Sequence, residues 1–283
     1  MLSGNGLLSC LNLSDPVQNT PAINTDIHIQ NVDILELNDQ VQQFHRRPLR
    51  DAYRFLYLDG LWITLNKPVK TKKVLLVALG VKMDGSKELL SFQLADSESE
   101  SWWWGFLSNL KDRGLKGENL EVMVSDGAGG LLKALRGLYP RVTQQLCTFH
   151  KVNDLDLHLL NRAHRSKIIS DALHIFEGET ATEVRGRVRV FCQRWWSKEP
   201  KAVRNFLRSF EYCLTYLEYP KPIQAMLKTN NPIERYLQEL RRRIIPMRVF
   251  NNSQSAERII YGLIAYVLNQ QQDMPKSEFT QLS

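Results

Sequence analysis

An aspartate sits inside the most strand-like stretch of this chain. Phe55-Leu56-Tyr57-Leu58 precede Asp59-Gly60, and Leu61-Trp62-Ile63-Thr64-Leu65 follow. These are largely the β-branched and aromatic types that suit a strand buried on both faces. A carboxylate there costs several kcal/mol to desolvate unless it is paired or holds a metal. The pair also suits a tight Asp-Gly turn between two strands. A second instance bears on the choice: Glu121-Val122-Met123-Val124-Ser125-Asp126-Gly127 again runs an apolar segment into Asp-Gly, and Ala128-Gly129-Gly130 follows.

Strand-like runs at 53 to 65, Lys73 to Val81 and Glu88 to Leu94 are linked by Asn66-Lys67-Pro68 and Asp84-Gly85, which is turn chemistry. They predict an antiparallel meander. Ser97-Glu98-Ser99-Glu100 has the form of a capping box and opens a helix through Trp102-Trp103-Trp104 to about Lys111. Three consecutive tryptophans cannot share one helix face, so at least one meets another part of the protein or the surface. A strand over 119 to 125, a helix from about Gly130 to Leu138 and a strand over Val142 to Leu146 make a parallel crossover. The expected class is α/β, a mixed sheet flanked by helices. From Lys151 to about Lys228 the pattern is helical throughout. Thr180-Ala181-Thr182-Glu183 makes a second capping box, and a further helix from about Lys201 carries Phe206, Phe210, Leu214 and Leu217. Residues 1 to about 40 show no sustained period.

Composition excludes some classes. At 43% apolar and 24% charged the chain is not disordered as a whole. Its net charge of +7 is compatible with a polyanionic partner. Cys10, Cys147, Cys192 and Cys213 lack CxxC spacing, which favours a reducing compartment over a disulfide scaffold. No apolar run is long enough to span a membrane and no signal peptide is evident, so the expected location is cytoplasmic.

A third acid is less conspicuous. Asn230-Asn231-Pro232-Ile233-Glu234 places a proline at the first helical position after an asparagine cap and Glu234 at the third. A glutamate there commonly completes a capping arrangement. The helix continues through Arg235 to Arg241-Arg242-Arg243, so the acid opens a strongly basic helix, as a metal site beside a phosphate backbone requires.

Tyr57-Leu58-Asp59-Gly60, Ser125-Asp126-Gly127, Cys147-Thr148-Phe149-His150 and Asn230-Asn231-Pro232-Ile233-Glu234-Arg235, followed by Arg241-Arg242-Arg243-Ile244, resemble the catalytic region of Mutator-type insertion-sequence transposases. The resemblance covers about Val41 to Asn269. It implies a ribonuclease H-like fold with a DDE triad of Asp59, Asp126 and Glu234. It also implies a helical insertion, which accounts for the 108 residues from Asp126 to Glu234 against 67 from Asp59 to Asp126. The expected division is a poorly structured arm at 1–40, the first part of the core at 41–150, an all-helical insertion at 151–228, C-terminal helices completing the core at 229–270, and a tail at 271–283.

Three carboxylates brought close repel one another, so such a site is stable mainly when divalent cations neutralise it. Two Mg²⁺ or Mn²⁺ ions per site fit that need. The implied reaction is hydrolysis of a phosphodiester at an element end, followed by attack of the exposed 3′-hydroxyl on another DNA strand. Lys228, Arg235, Arg241, Arg242 and Arg243 are the expected DNA contacts, with a solvated basic face as the alternative for each. The implied partner is DNA, engaged as a dimer and associated with the nucleoid. Cys147 and His150 give two ligands where structural zinc wants four, so packing or hydrogen bonding beside the site is the expectation; Asp154 and His158 are weaker candidates. Such transposases carry a long helical segment ahead of the catalytic domain, whereas 58 residues precede Asp59 here. The expectation is therefore a short copy that has lost its targeting or does not act alone. A catalytically inactive DNA-binding remnant and a nuclease of the same fold are the rivals.

Overall fold

The computed structural model describes residues 34–65, 71–247 and 253–272. Helix α1 (Ile34–Arg46) leads into strand β1 (Tyr53–Leu65), which pairs antiparallel with β2 (Thr71–Lys82), itself antiparallel to β3 (Lys87–Ala95). Helix α2 (Glu100–Asp112) precedes β4 (Val122–Ser125), α3 (Gly129–Leu138) and β5 (Thr143–Leu146). β4 lies parallel to β1, and β5 parallel to β4. The strand order β3-β2-β1-β4-β5, with an antiparallel meander on one side and a parallel crossover on the other, is that of a ribonuclease H-like sheet.

The sheet is covered on both faces. Alternation along β1 sends Leu56 and Leu58 to one side, where they pack with Trp103, Phe106 and Leu131 of α2 and α3. Phe55, Tyr57, Leu61 and Ile63 go to the other side, against α9 (Asn231–Met247) and α10 (Ser253–Gln272). Between β5 and α9 lie α4 (Thr148–Asn153), α5 (Arg165–Ile175), α6 (Ala181–Trp195), α7 (Pro200–Leu207) and α8 (Lys221–Leu227), joined in places by single 3₁₀ turns. This segment has its own apolar cluster, centred on Phe176, Phe191, Phe206 and Phe210, into which the core lends Leu132 and Leu146.

Several expectations need adjustment. Residues 34–40, assigned to a loose arm, belong to α1: Leu37, Val41 and Phe44 recur at helical spacing, and Phe44 stacks on Phe92 of β3 at 5.6 Å. The face is completed by tertiary contacts that local pattern does not show. The rest of the arm (1–33), the Asn66-Lys67-Pro68 link and residues 273–283 of the tail lie outside the described residues. α2 is capped by Ser99 rather than Ser97. Of its three tryptophans, Trp103 is buried and Trp104 exposed, as the geometry of one helix demands. The helix from Lys201 ends at Leu207, and Ser209 takes a left-handed φ of 60°, so Phe210, Leu214 and Leu217 continue on 3₁₀ turns instead.

Candidate active site

Asp59 lies inside a continuous strand, so its Asp-Gly pair makes no turn. Asp126 comes just beyond β4, and Gly127 turns the chain there with a φ of 90°, a left-handed conformation that only glycine adopts without strain. The register aligns the two. Tyr57 pairs with Val124, so the same register carried two residues on, past the end of β4, brings Asp126 beside Asp59, whose pKa it raises. Ser125 pairs with Leu146, and the Cys147 N–H donates to the Ser125 carbonyl at 2.8 Å. Asp126 and Cys147 thus follow directly on the ends of β4 and β5, next to the β1 strand that carries Asp59. The parity of Asp59 is that of Phe55 and Tyr57, which face α9, and Glu234 stands in the first turn of α9.

Helix α9 begins at Asn231, so Pro232 is its second residue. Asn230, fully buried, does not use its side chain as a cap. Its Nδ2 crosses to Asp59 and donates to Oδ2 at 3.1 Å, while its backbone N–H donates to Cys147 Sγ at 3.3 Å. The other Asp59 oxygen accepts the Gly60 N–H at 2.8 Å. Asp126 Oδ1 accepts the Ala128 N–H at 2.9 Å. Glu234 Oε1 stands 3.5 Å from His150 Nδ1.

The electrostatics reflect crowding of like charge. Burial raises the Asp59 pKa, Asp126 raises it further, the Gly60 N–H and the His150 charge oppose, and Glu234 adds to the rise, leaving it at about 7. The His150 imidazole is pushed up to about 9, chiefly by its interaction with the Cys147 side chain; burial opposes, and Cys147, Asp59 and Glu234 add to the rise. His150 is therefore a cation at neutral pH, set among acids that outnumber it. The Asn230 Oδ1 is buried without a hydrogen-bond partner beside Asp59. Hard carboxylate oxygens in excess of local positive charge, with an orphaned amide oxygen alongside, fit divalent cations of the Mg²⁺ class.

Other candidates divide. Asp154 is raised by burial and lies close enough to feel His150 and Asp126, whereas His158 is exposed. Lys228 is engaged inside the fold: Nζ donates to the Phe176 carbonyl at 2.6 Å and lies 5.5 Å from the Tyr216 ring, so it is not free for a DNA phosphate. Arg235 and Arg241 are exposed. Arg242 pairs with Glu239 at 3.0 Å, and Arg243 lies 3.8 Å from the same carboxylate. Two further residues escape a reading by motif. Glu98 sits beneath Gly60, where an added Cβ would meet its Oε1 at 2.5 Å, and its pKa is raised by burial and by Asp126. Lys87 is lowered by burial and by the nearby Arg235 charge, which places the two cations together. Neither carries a local signal; only the fold puts them there.

A ribonuclease H-like sheet with acids gathered at its centre is the class defined so far. The chain belongs to the Mutator family of transposases, whose family model matches residues 29–273. It is 29% identical over 228 residues to the transposase for insertion sequence element ISRM5 of Rhizobium meliloti (strain 1021), covering 80% of this chain and 56% of that protein. It is 32% identical over 197 residues to the transposase for insertion sequence element IS6120 of Mycolicibacterium smegmatis, covering 69% and 60%. The chain thus spans somewhat over half the length of these relatives. The catalytic domain of Mos1 mariner transposase aligns with 63% of this chain and 85% of its own at 13% identity and a TM-score of 0.24, so the fold assignment rests on strand order and direction. Among the described residues no helix is long and apolar enough to cross a membrane.

Proposed function

We propose that this chain is the catalytic region of an insertion-sequence DNA transposase, with Asp59, Asp126 and Glu234 as its metal-holding acids. One observation supports the reading: acids from β1, from just beyond β4 and from the first turn of α9 lie close enough that Asp126 and Glu234, with burial, raise the Asp59 carboxyl to about 7. Two Mg²⁺ or Mn²⁺ ions held there would favour in-line displacement at phosphorus by stabilising both the attacking and the leaving oxygen.

The chain's own residues supply position. Asp59, central and tied at both oxygens, would hold these ions together with Asp126 and Glu234. Asn230 fixes the Asp59 carboxylate through Nδ2 and couples it to the start of α9. Lys87, Arg235 and Arg241 hold the DNA backbone, with Arg242 and Arg243 released from Glu239 when phosphate competes. Water first hydrolyses a phosphodiester at the element end, and the 3′-hydroxyl then attacks target DNA, with the chain acting as a dimer on paired ends.

The test supplies a short duplex with a free 3′-hydroxyl, a supercoiled plasmid and Mg²⁺ or Mn²⁺. Joined product from the intact chain, absent for Glu234→Gln, supports transposition. Cutting without joining would identify a nuclease of the same fold, and DNA binding without either would identify an inactive remnant.

A further inference from the structure

We propose that Cys147, His150 and Glu234 form a second cation site, for a thiophilic divalent ion of the zinc class, which shares Glu234 with the carboxylate cluster. Only this sharing, not the site itself, rests on the function proposed above. The sequence offers two of the ligands as C-x2-H, and the fold adds the third from α9. One ligand atom from each residue lies within 4.8 Å of the other two, the only such set of three or more among the described residues.

One edge of the set is close to that of bound zinc. With Zn–N and Zn–O bonds of roughly 2.0–2.2 Å in a tetrahedron, the N–O edge is about 3.4 Å and the edges to sulfur about 3.6 Å. His150 Nδ1 and Glu234 Oε1 stand 3.5 Å apart, too far for a good hydrogen bond and near that edge. Nδ1 is buried without a hydrogen-bond partner, although it faces the carboxylate. The Asn230 N–H already donates to Cys147 Sγ, the kind of contact that supports a metal-bound thiolate.

Ligand chemistry separates this site from its neighbour. Sulfur and imidazole select zinc over magnesium, while carboxylates alone suit magnesium. Three ligands leave a fourth position open, and the partial exposure of His150 and Glu234 gives an ion a way in. Zinc takes sulfur as thiolate and imidazole as the neutral ring, so any proton on either ligand atom leaves to solvent on binding. It also takes Glu234 from the acidic cluster, so zinc inhibits Mg²⁺-dependent cutting.

The experiment titrates the whole metal-free chain with Co²⁺ and follows thiolate-to-Co²⁺ charge-transfer absorption, which carboxylates cannot produce. One equivalent should generate the band and Zn²⁺ should abolish it. The band should persist in Cys10→Ser, Cys192→Ser and Asp126→Asn, and disappear in Cys147→Ser. His150→Gln, at a partly exposed position, should weaken Co²⁺ binding about tenfold or more and guards against misfolding of the buried Cys147 variant. No band in the intact chain, or a band unchanged in both Cys147→Ser and His150→Gln, overturns the site. Neither result depends on whether the chain cuts DNA. Zn²⁺ bound at this site without effect on nicking would overturn the sharing of Glu234.

Discussion

Asp59 is a liability to the metal-free protein. Its carboxyl, at about 7, sits above the 3.8 of an unperturbed aspartate, so the neutral form's advantage is present below about pH 4 and is lost as pH rises through 7. Asp59→Asn should therefore raise the stability of the metal-free chain by about 4 kcal/mol at pH 8 and leave it nearly unchanged at pH 4, read by thermal unfolding in chelator. A variant less stable than wild type at pH 8 would show that the charge is compensated. Asn230 acts through Asp59. Asn230→Ala should lower the cutting rate about 10- to 100-fold with a stability loss of about 1–2 kcal/mol, and a loss of activity matched by global unfolding would reduce Asn230 to a packing residue. The three candidate acids stand out in the sequence because two interrupt apolar runs before glycine and the third opens a basic helix. Asn230 was legible only as a cap, since nothing local shows that its side chain reaches a strand 171 residues away in sequence.

Elements were recovered where a continuous apolar run is bounded by turn residues and buried on both faces. The runs at 53–65, 73–81 and 88–94 fall within β1, β2 and β3, because apolar, β-branched and aromatic content agrees with the turn chemistry between them. They failed where tertiary contacts decide. Beyond α7, helical spacing of apolar residues is met by 3₁₀ turns docked on β5, with Thr215 Oγ1 donating to the Gln144 carbonyl and Gln145 Oε1 accepting the Tyr216 N–H, both at 2.8 Å. α1 was missed for the same reason. Its end carries His45, whose ring meets Phe92 edge-on and whose pKa falls to about 4 through burial and then the Arg113 and Arg47 charges. The unfolded chain takes up this proton near pH 6.5, so the stability that neutral His45 contributes is lost as pH falls from 6.5 to 4. Urea midpoints should show about 2 kcal/mol of acid destabilisation in that window that His45→Gln lacks; identical pH profiles would place His45 in water.

At the scale of the molecule, the long gap between Asp126 and Glu234 is filled by helices with an apolar cluster of their own, while α9 returns to the sheet face that carries Asp59. The topology converts distant sequence positions into neighbours, and the parallel pairing of β1 with β4 leads the chain to Asp126 beside Asp59. The family resemblance made this arrangement an expectation; Glu98 and Lys87 stood outside it because their proximity exists only in three dimensions. The central claim is that Asp59, Asp126 and Glu234 serve one metal-dependent site. It is tested most directly by nicking of supercoiled plasmid in Mg²⁺ or Mn²⁺ by the intact chain, Asp59→Asn, Asp126→Asn and Glu234→Gln. The account predicts metal-dependent nicking by the intact chain, reduced at least about a hundredfold in each variant. Nicking that survives any one of the three substitutions would contradict it.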